Sequence, residues 1–217
     1  MTTGFKRFLS GSKFLILIFM LLTLSCNTYK KDTYSEVMAV SAMRNVMWKG
    51  ELDGKIKLDT LARKEGLYGL GPLSHLTGEV LINDGKSFVS RVLNDSAMLV
   101  EENFSVSAPF FVYGYVHEWK ESDLPSEVIT LKDLEAYIDD QTNSAKRPFV
   151  FKLKGTVETA KIHIQNLPEG SKVTSPDEAH VGQVSYTLKG EEVEIVGFFS
   201  TEHKGVFTHH DSFIHTH

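Results

Sequence analysis

Apolar and polar residues change rhythm several times along this chain, and each change predicts an element. Val37, Val40, Met43, Val46 and Met47 recur at the spacing of one helical face, so residues 36–48 are expected to form a helix. Asp59 is placed to cap a short helix through Lys64, which Gly66 would close. Gly69, Gly71 and Pro72 punctuate a loop, after which the apolar run at 79–82 reads as a strand. That strand turns at Asn83-Asp84-Gly85 into residues 88–93, a hairpin signal. Residues 110–119 are aromatic and β-branched and predict another strand. Residues 130–141 carry the clearest helical period of the second half, with Thr130 as cap and Asp133 in the first turn, where the helix dipole favours an anion. From Pro148 onward the pattern is β. Strands are expected at 149–154 and 157–164 around Gly155, a second hairpin at 181–188 and 192–199 around Lys189-Gly190, and a last strand at 209–217. Clustered strands with few helices indicate an α+β fold of mixed and antiparallel sheets with a few flanking helices.

The first 25 residues follow different rules. Lys6, Arg7 and Lys13 precede an apolar run at 14–24 that is too short to span a bilayer, which takes about 20 residues. The run ends at Ser25-Cys26, and Cys26 is the single cysteine of the chain. This order is that of a bacterial lipoprotein signal, so residues 1–25 are expected to be removed and Cys26 to carry a lipid anchor. The expected address is the cell envelope, lipid-anchored or otherwise exported. Residues 26–35 are a polar tether, and 36–217 form the exported domain, with room for two β-rich subdomains at about 36–145 and 146–217.

Removal of the leader takes away three positive charges and no negative ones, moving the net charge from −5 to about −8. Nucleic acid is therefore excluded as a partner, because such binding rests on phosphate neutralisation. One cysteine allows no internal disulfide, so the domain must be held by its core. About 190 residues suffice for one. The membrane is met only through the anchor, and the sequence leaves room for a homodimer.

The candidate chemistry lies at the C-terminus. Four of nine histidines, His209, His210, His215 and His217, fall in the final nine residues. In an extended segment His215 and His217 project to one side with Thr216 opposite. Two such imidazoles can share a divalent ion, and a catalytic zinc site takes three protein ligands and an open position. His209 and His210 are adjacent, so at most one faces such a site. The simpler expectation is a turn residue and a surface residue. His75 is expected to pack or cap locally. His117, His180 and His203 have no partner spacing and read as structural or exposed.

The run Glu65-Gly-Leu-Tyr-Gly69-Leu-Gly71-Pro-Leu-Ser-His-Leu76-Thr-Gly78-Glu79-Val-Leu-Ile-Asn-Asp84-Gly85 resembles the signature of alpha-acetolactate decarboxylases, a G-x-G loop leading to L-x-G-E and an apolar strand. Ala108-Pro109-Phe110, Lys154-Gly155-Thr156, Val196-Gly197-Phe198 and His215-Thr216-His217 match further segments of that family in order. The resemblance runs from about Met38 to the end of the chain. It implies the family's fold and the zinc-dependent decarboxylation of 2-acetolactate, a small 2-hydroxy-3-keto acid, to acetoin and CO2.

The resemblance also implies roles. His215 and His217 would be two of the family's three zinc ligands, and Glu79 would belong to the metal and proton-transfer shell. The family's third histidine and a second glutamate fall beyond His217, so the chain is expected to be C-terminally incomplete. The family arginine that holds the substrate carboxylate falls on His163. Lys161, two residues earlier and on the same face, or His163 itself would have to supply a cation, without the two-point grip of a guanidinium. The alternative is a lipid-anchored, non-catalytic protein of the same fold that binds metal or a small ligand. A cupin-type metal protein, which also uses H-x-H, is disfavoured because nothing upstream supplies the cupin order of ligands.

Overall fold

The computed structural model describes residues 36–61 and 64–217. The expected signal segment, Cys26 and the rest of the tether lie outside them. Most of the strands belong to two antiparallel sheets, and the larger has six strands in the order β1-β8-β3-β4-β5-β6. Its members are β1 (Met38–Val40), β3 (Leu67–Pro72), β4 (Glu79–Asn83), β5 (Lys86–Asn94), β6 (Ala97–Glu102) and β8 (Phe111–Tyr115). The smaller sheet is β11-β10-β9, built from β9 (Phe149–Ile164), β10 (Val184–Phe199) and β11 (Ile214–Thr216). Two short strands, β2 (Ile56–Lys57) and β7 (Ser107–Ala108), pair separately. The helices are α1 (Met43–Lys49), α2 (Leu131–Gln141) and α3 (Pro176–Ala179).

Val37, just before β1, and Tyr68, Leu70 and Val112 of the large sheet pack with Val150, Val196, Phe198 and Phe207, so the two sheets share one apolar cluster. Phe198 and Phe207 are almost completely removed from water. Burial of such aromatic side chains is the main source of stability available to a chain without disulfides.

The β4–β5 hairpin forms as expected, because Asp84 and Gly85 adopt φ of 48° and 78°, the left-handed pair its tight turn requires. The α2 helix also forms as expected. Thr130 Oγ1 accepts from Asp133 N–H, and the Asp133 carboxylate accepts from Thr130 N–H, a reciprocal cap.

Elsewhere the local signals are overridden. The expected helix at 36–48 is half strand: Met38–Val40 pairs with Tyr113–Phe111, and Ser41, at φ 59°, breaks the chain before α1 begins. No side chain caps α1. Its first amides donate instead to the Val206 and Gly205 carbonyls at 2.7 and 2.9 Å. Asp59 lies inside a single 3-10 turn, Leu58–Thr60, that follows Lys57, so it is not a helix cap.

The expected loop at Gly69–Pro72 is the fully buried strand β3. A Cβ on Gly69 would lie 2.7 Å from the Phe111 ring, so glycine is there to let β8 approach, not to turn the chain. The expected hairpin around Lys189-Gly190 is one continuous strand, β10, paired with an equally continuous β9 from Val184↔Ile164 to Phe199↔Phe149. The last strand is confined to Ile214–Thr216, because residues 209–212 turn, with Ser212 N–H donating to the His209 carbonyl at 3.3 Å.

Candidate active site

The site begins with the turn that precedes β4. Leu73 N–H donates to the Gly78 carbonyl at 2.9 Å, closing a tight loop in which His75 and Leu76 take φ of 60° and 51°. The Leu76 carbonyl accepts from Leu167 N–H at 2.9 Å, which pins the segment after β9 against this loop. Two residues before Leu167, the Gln165 N–H reaches Glu79 Oε1 at 3.3 Å. Glu79 therefore starts β4 beneath the exit of β9, with its side chain only 13% exposed.

The second half arrives on β11. Phe198 faces His215 and Gly197 faces Thr216 across the β10–β11 ladder, and His217 exchanges both of its backbone hydrogen bonds with Val196 at 2.9 Å. Gly197 leaves room for the Phe151 ring, which a side chain at that position would overlap. On the other side, the Glu135 carboxylate of α2 accepts from the Ser212 hydroxyl and the Phe213 N–H, both at 2.6 Å, and fixes the entry to β11. Held at both ends, the strand puts the His215 and His217 rings 5.1 Å apart, nearly perpendicular.

His217 Nδ1 lies 3.0 Å from the Val80 carbonyl oxygen. A carbonyl only accepts, so Nδ1 carries the proton and Nε2 keeps its lone pair. That Nε2 stands 3.8 Å from Glu79 Oε2. A histidine whose far nitrogen is tied to a backbone carbonyl is oriented as metal-ligating histidines are.

These groups line a cavity of about 350 Å³. One wall is apolar, made by Met43, Met47, Pro72, Leu76 and Phe110. The other carries Glu79, Gln165 and Gln183 with five imidazoles, His163, His180, His209, His215 and His217. A larger, more open depression of about 720 Å³ beside α2 contains an Arg147–Asp139 ion pair and no gathered imidazoles, so the chemistry belongs to the smaller cavity.

Burial sets the charge of the site. Glu79 is pushed up to about 8 by desolvation, against the opposing Gln165 N–H bond. His217 is brought down to about 4, by desolvation first and then by the neighbouring His163. His215 lies well below the usual histidine range for the same reason, and His163 and His209 are lowered too. At neutral pH Glu79 is thus protonated and the rings of His163, His209, His215 and His217 are neutral. The close Glu79–His217 approach is a contact between uncharged groups, not an ion pair.

The structure brings Glu79, His163, His215 and His217 to one cavity. Lys161 is not among its lining residues. It sits exposed on β9 opposite Thr187, two residues too far along the ribbon to reach the pocket. His163 stands at the rim, exposed on one side, and its lowered basicity leaves it uncharged at pH 7. Neither side chain thus supplies the cation expected for a substrate carboxylate, and among the described residues no lysine or arginine lines the cavity. His180 and His209, read from sequence as structural or exposed and as a turn or surface residue, do line it. Both come from irregular segments without spacing signals. Gln165 and Gln183, joined by a 3.1 Å hydrogen bond, had no sequence signal at all.

The donors suit a zinc ion in type. Neutral imidazoles are among its usual ligands, Nε2 of His217 has a free lone pair, and His215 Nδ1 is buried without a hydrogen-bond partner. Among the described residues, no three histidine, cysteine or acidic side chains already converge as a metal cluster. Ligation therefore requires the rings to turn toward the ion.

Comparison with known proteins bears on the fold and the family. The family profile of alpha-acetolactate decarboxylase matches residues 37–217. No curated protein sequence matches the chain. Among solved structures, the chain is similar to alpha-acetolactate decarboxylase from Bacillus subtilis strain 168, with 21% identity, 78% of this chain and 70% of that chain covered, and a TM-score of 0.63. It is also similar to acetolactate decarboxylase from Bacillus subtilis subspecies spizizenii, at 19% identity, 78% and 71% coverage, and a TM-score of 0.64. A Staphylococcus aureus protein of unknown function, described as similar to alpha-acetolactate decarboxylase, aligns at 19% identity over 76% of this chain and 68% of that one, with a TM-score of 0.61. At these identities the structural likeness establishes the fold.

Proposed function

We propose, for a chain that belongs to the alpha-acetolactate decarboxylase family, a zinc-dependent decarboxylation of 2-acetolactate, or a closely similar branched 2-hydroxy-3-keto acid, to acetoin and CO2. One observation carries the reading: the Val80 carbonyl fixes the His217 tautomer so that a bare Nε2 faces the protonated Glu79 carboxyl at 3.8 Å across the cavity.

His215 and His217 would hold the ion, with Glu79 beside it as the proton-bearing carboxyl. Zinc would supply Lewis-acid polarisation of the substrate's hydroxyl and carbonyl oxygens, where negative charge builds as CO2 leaves. Glu79 keeps a proton at neutral pH and stands at one side of the cavity, so it can deliver that proton to a single face of the carbon that lost CO2. Met43, Met47 and Phe110 offer an apolar wall for the substrate's methyl groups and exclude water from the reacting carbon. The Gln165 side-chain oxygen is buried without a partner and is available to a substrate hydroxyl.

The test is acetoin formation from racemic 2-acetolactate by zinc-supplied protein, beside a Glu79→Gln variant. Acetoin from the parent and at least about 100-fold less from the variant is expected. A parent that binds zinc one to one yet makes no acetoin would sink the decarboxylase reading. The neutral His163 in place of a guanidinium favours a second reading, a metal- or small-ligand-binding protein of the same fold, and that result would select it. We also propose that the protein is exported and lipid-anchored at Cys26. Replacing Cys26 by serine should then move it out of the membrane fraction.

A further inference from the structure

We propose that the outward face of α1, formed by Arg44, Trp48 and Lys49, docks on the surface of an anionic lipid bilayer. The proposal rests on the lipid anchor at Cys26 put forward above. It goes beyond that anchor, because the folded domain then meets the membrane a second time through its own side chains.

Met43, Val46 and Met47 turn α1 toward the core, and Met43 and Met47 line the cavity. Arg44 and Trp48 are four residues apart, so they neighbour each other on the outward face, with Lys49 beside them. Trp48 is 61% exposed, a costly place for so large an apolar ring in water. Indole rings gather where a bilayer meets water, because the ring enters the acyl boundary while its N–H stays among the headgroups. The helix itself carries two cations and no acid. Beyond it, Glu51 is paired with Lys55 at 3.4 Å, and the Glu178 carboxylate of α3 accepts from Thr174. Asp177 of α3 is the exposed acid set against them, and it is offset by the exposed Lys172 just before Val173, which packs with Met43, Val46 and Met47.

Two observations single out this face among the exposed apolar positions. The first is charge. Leu99 and Val100 are exposed beside Glu101 and Glu102, and Ile129 and Leu131 are exposed between Glu127 and Asp133, so an anionic surface would repel both places. The second is reach. Nine residues separate Cys26 from Glu36, a length that spans at most about 30 Å. A lipid on Cys26 therefore holds the start of the domain close to the bilayer, and α1 begins seven residues after Glu36. A seven-residue helix cannot cross a membrane, so the contact lies in the interface plane. Because the other side of the same helix walls the cavity, docking would brace that wall.

Tryptophan fluorescence of the anchored protein on vesicles tests the assignment. Trp119→Phe leaves Trp48 as the only indole of the chain. On vesicles of phosphatidylethanolamine with phosphatidylglycerol, Trp48 emission should shift to the blue and be quenched by brominated acyl chains. Arg44→Glu combined with Lys49→Glu should cut that quenching at least about fivefold while the protein still floats with the vesicles. Vesicles of phosphatidylcholine alone should give the result of the charge-reversed variant. Urea unfolding shows that the variants are folded. Trp48 that stays in water while the protein floats with anionic vesicles overturns the docking and leaves the anchor standing. Emission already shifted without lipid, and rising with protein concentration, assigns the face to a second copy and also overturns the docking. If Cys26 carries no lipid, the anchor reading fails, and the same vesicles are added to the unanchored protein. A Trp48 response then upholds the face, and its absence overturns it.

Discussion

Replacing Glu79 by glutamine in the metal-free protein should alter how stability depends on pH. Burial raises the carboxyl from its ordinary 4.5 to about 8, so the folded protein keeps a proton that the unfolded chain releases. Below pH 4.5 both states are protonated and the carboxyl imposes no penalty. Between 4.5 and 8 the unfolded chain ionises and the folded one does not, and stability is lost at about 1.4 kcal/mol per pH unit. Above 8 the loss is complete. The interval from 4.5 to about 8 therefore amounts to a penalty of about 5 kcal/mol. That is a large part of the 5–15 kcal/mol or so that typically holds a domain together.

Glutamine still accepts the Gln165 N–H but cannot ionise. The variant should therefore gain on the parent progressively from pH 5 to pH 8.5. The imidazoles act in the opposite sense. His217, at about 4 in the folded state, lowers stability as pH falls below 6.5, but it does so equally in both proteins and cancels in the difference. Urea unfolding of parent and variant at pH 5 and pH 8.5, with chelator present, gives that difference directly. If it changes by less than about 1 kcal/mol between the two pH values, Glu79 is not a buried neutral acid, and the proton-donor role falls with it.

Three further outcomes can be checked by similar means. Thr130→Ala removes the reciprocal cap of α2 and should lower unfolding free energy by about 1 kcal/mol, with no change in metal affinity. Gly69→Ala drives a methyl into Phe111 and should cost about 1–3 kcal/mol, whereas a loop at this position would tolerate the change. Glu135→Ala frees Ser212 and Phe213 and should cost about 1–3 kcal/mol in urea unfolding. On the proposed zinc reading it should also shrink the rise in melting temperature caused by added zinc, because the clamp holds the segment that bears His215 and His217.

The elements legible in the sequence were those whose cause is local. The Asn83-Asp84-Gly85 turn and the Thr130–Asp133 cap each act within a few residues, and both formed where the sequence put them. The failures share an opposite origin. Gly69 and Gly71 look like turn formers, yet their missing side chains serve a neighbouring strand. Lys189-Gly190 looks like a hairpin tip but lies within one long strand, because β9 pairs with it on both sides. β6 carried no recognised signal, and Met38–Val40 follows its edge pairing with β8 rather than its helical spacing.

The same division runs through the site. Glu79, His215 and His217 were found through motifs. Lys161 was chosen because it shares a strand face with His163, where the family arginine falls, and it does not line the cavity. His180, His209, Gln165 and Gln183 became visible only when segments distant in sequence met.

The hydrogen bond from His217 to Val80 joins residues 137 positions apart. During synthesis the large sheet, whose last strand ends at Tyr115, can assemble while nearly half of the chain is still to be made, but the pocket cannot. Its carboxyl waits for imidazoles that are translated well after it. A ribosome-bound chain that has reached α2 but not β11 would therefore be partly folded and unable to capture an ion through this pair. On the proposed zinc reading, metal acquisition would follow completion of β11, and any compartment where the ion is loaded would be one that the finished polypeptide reaches.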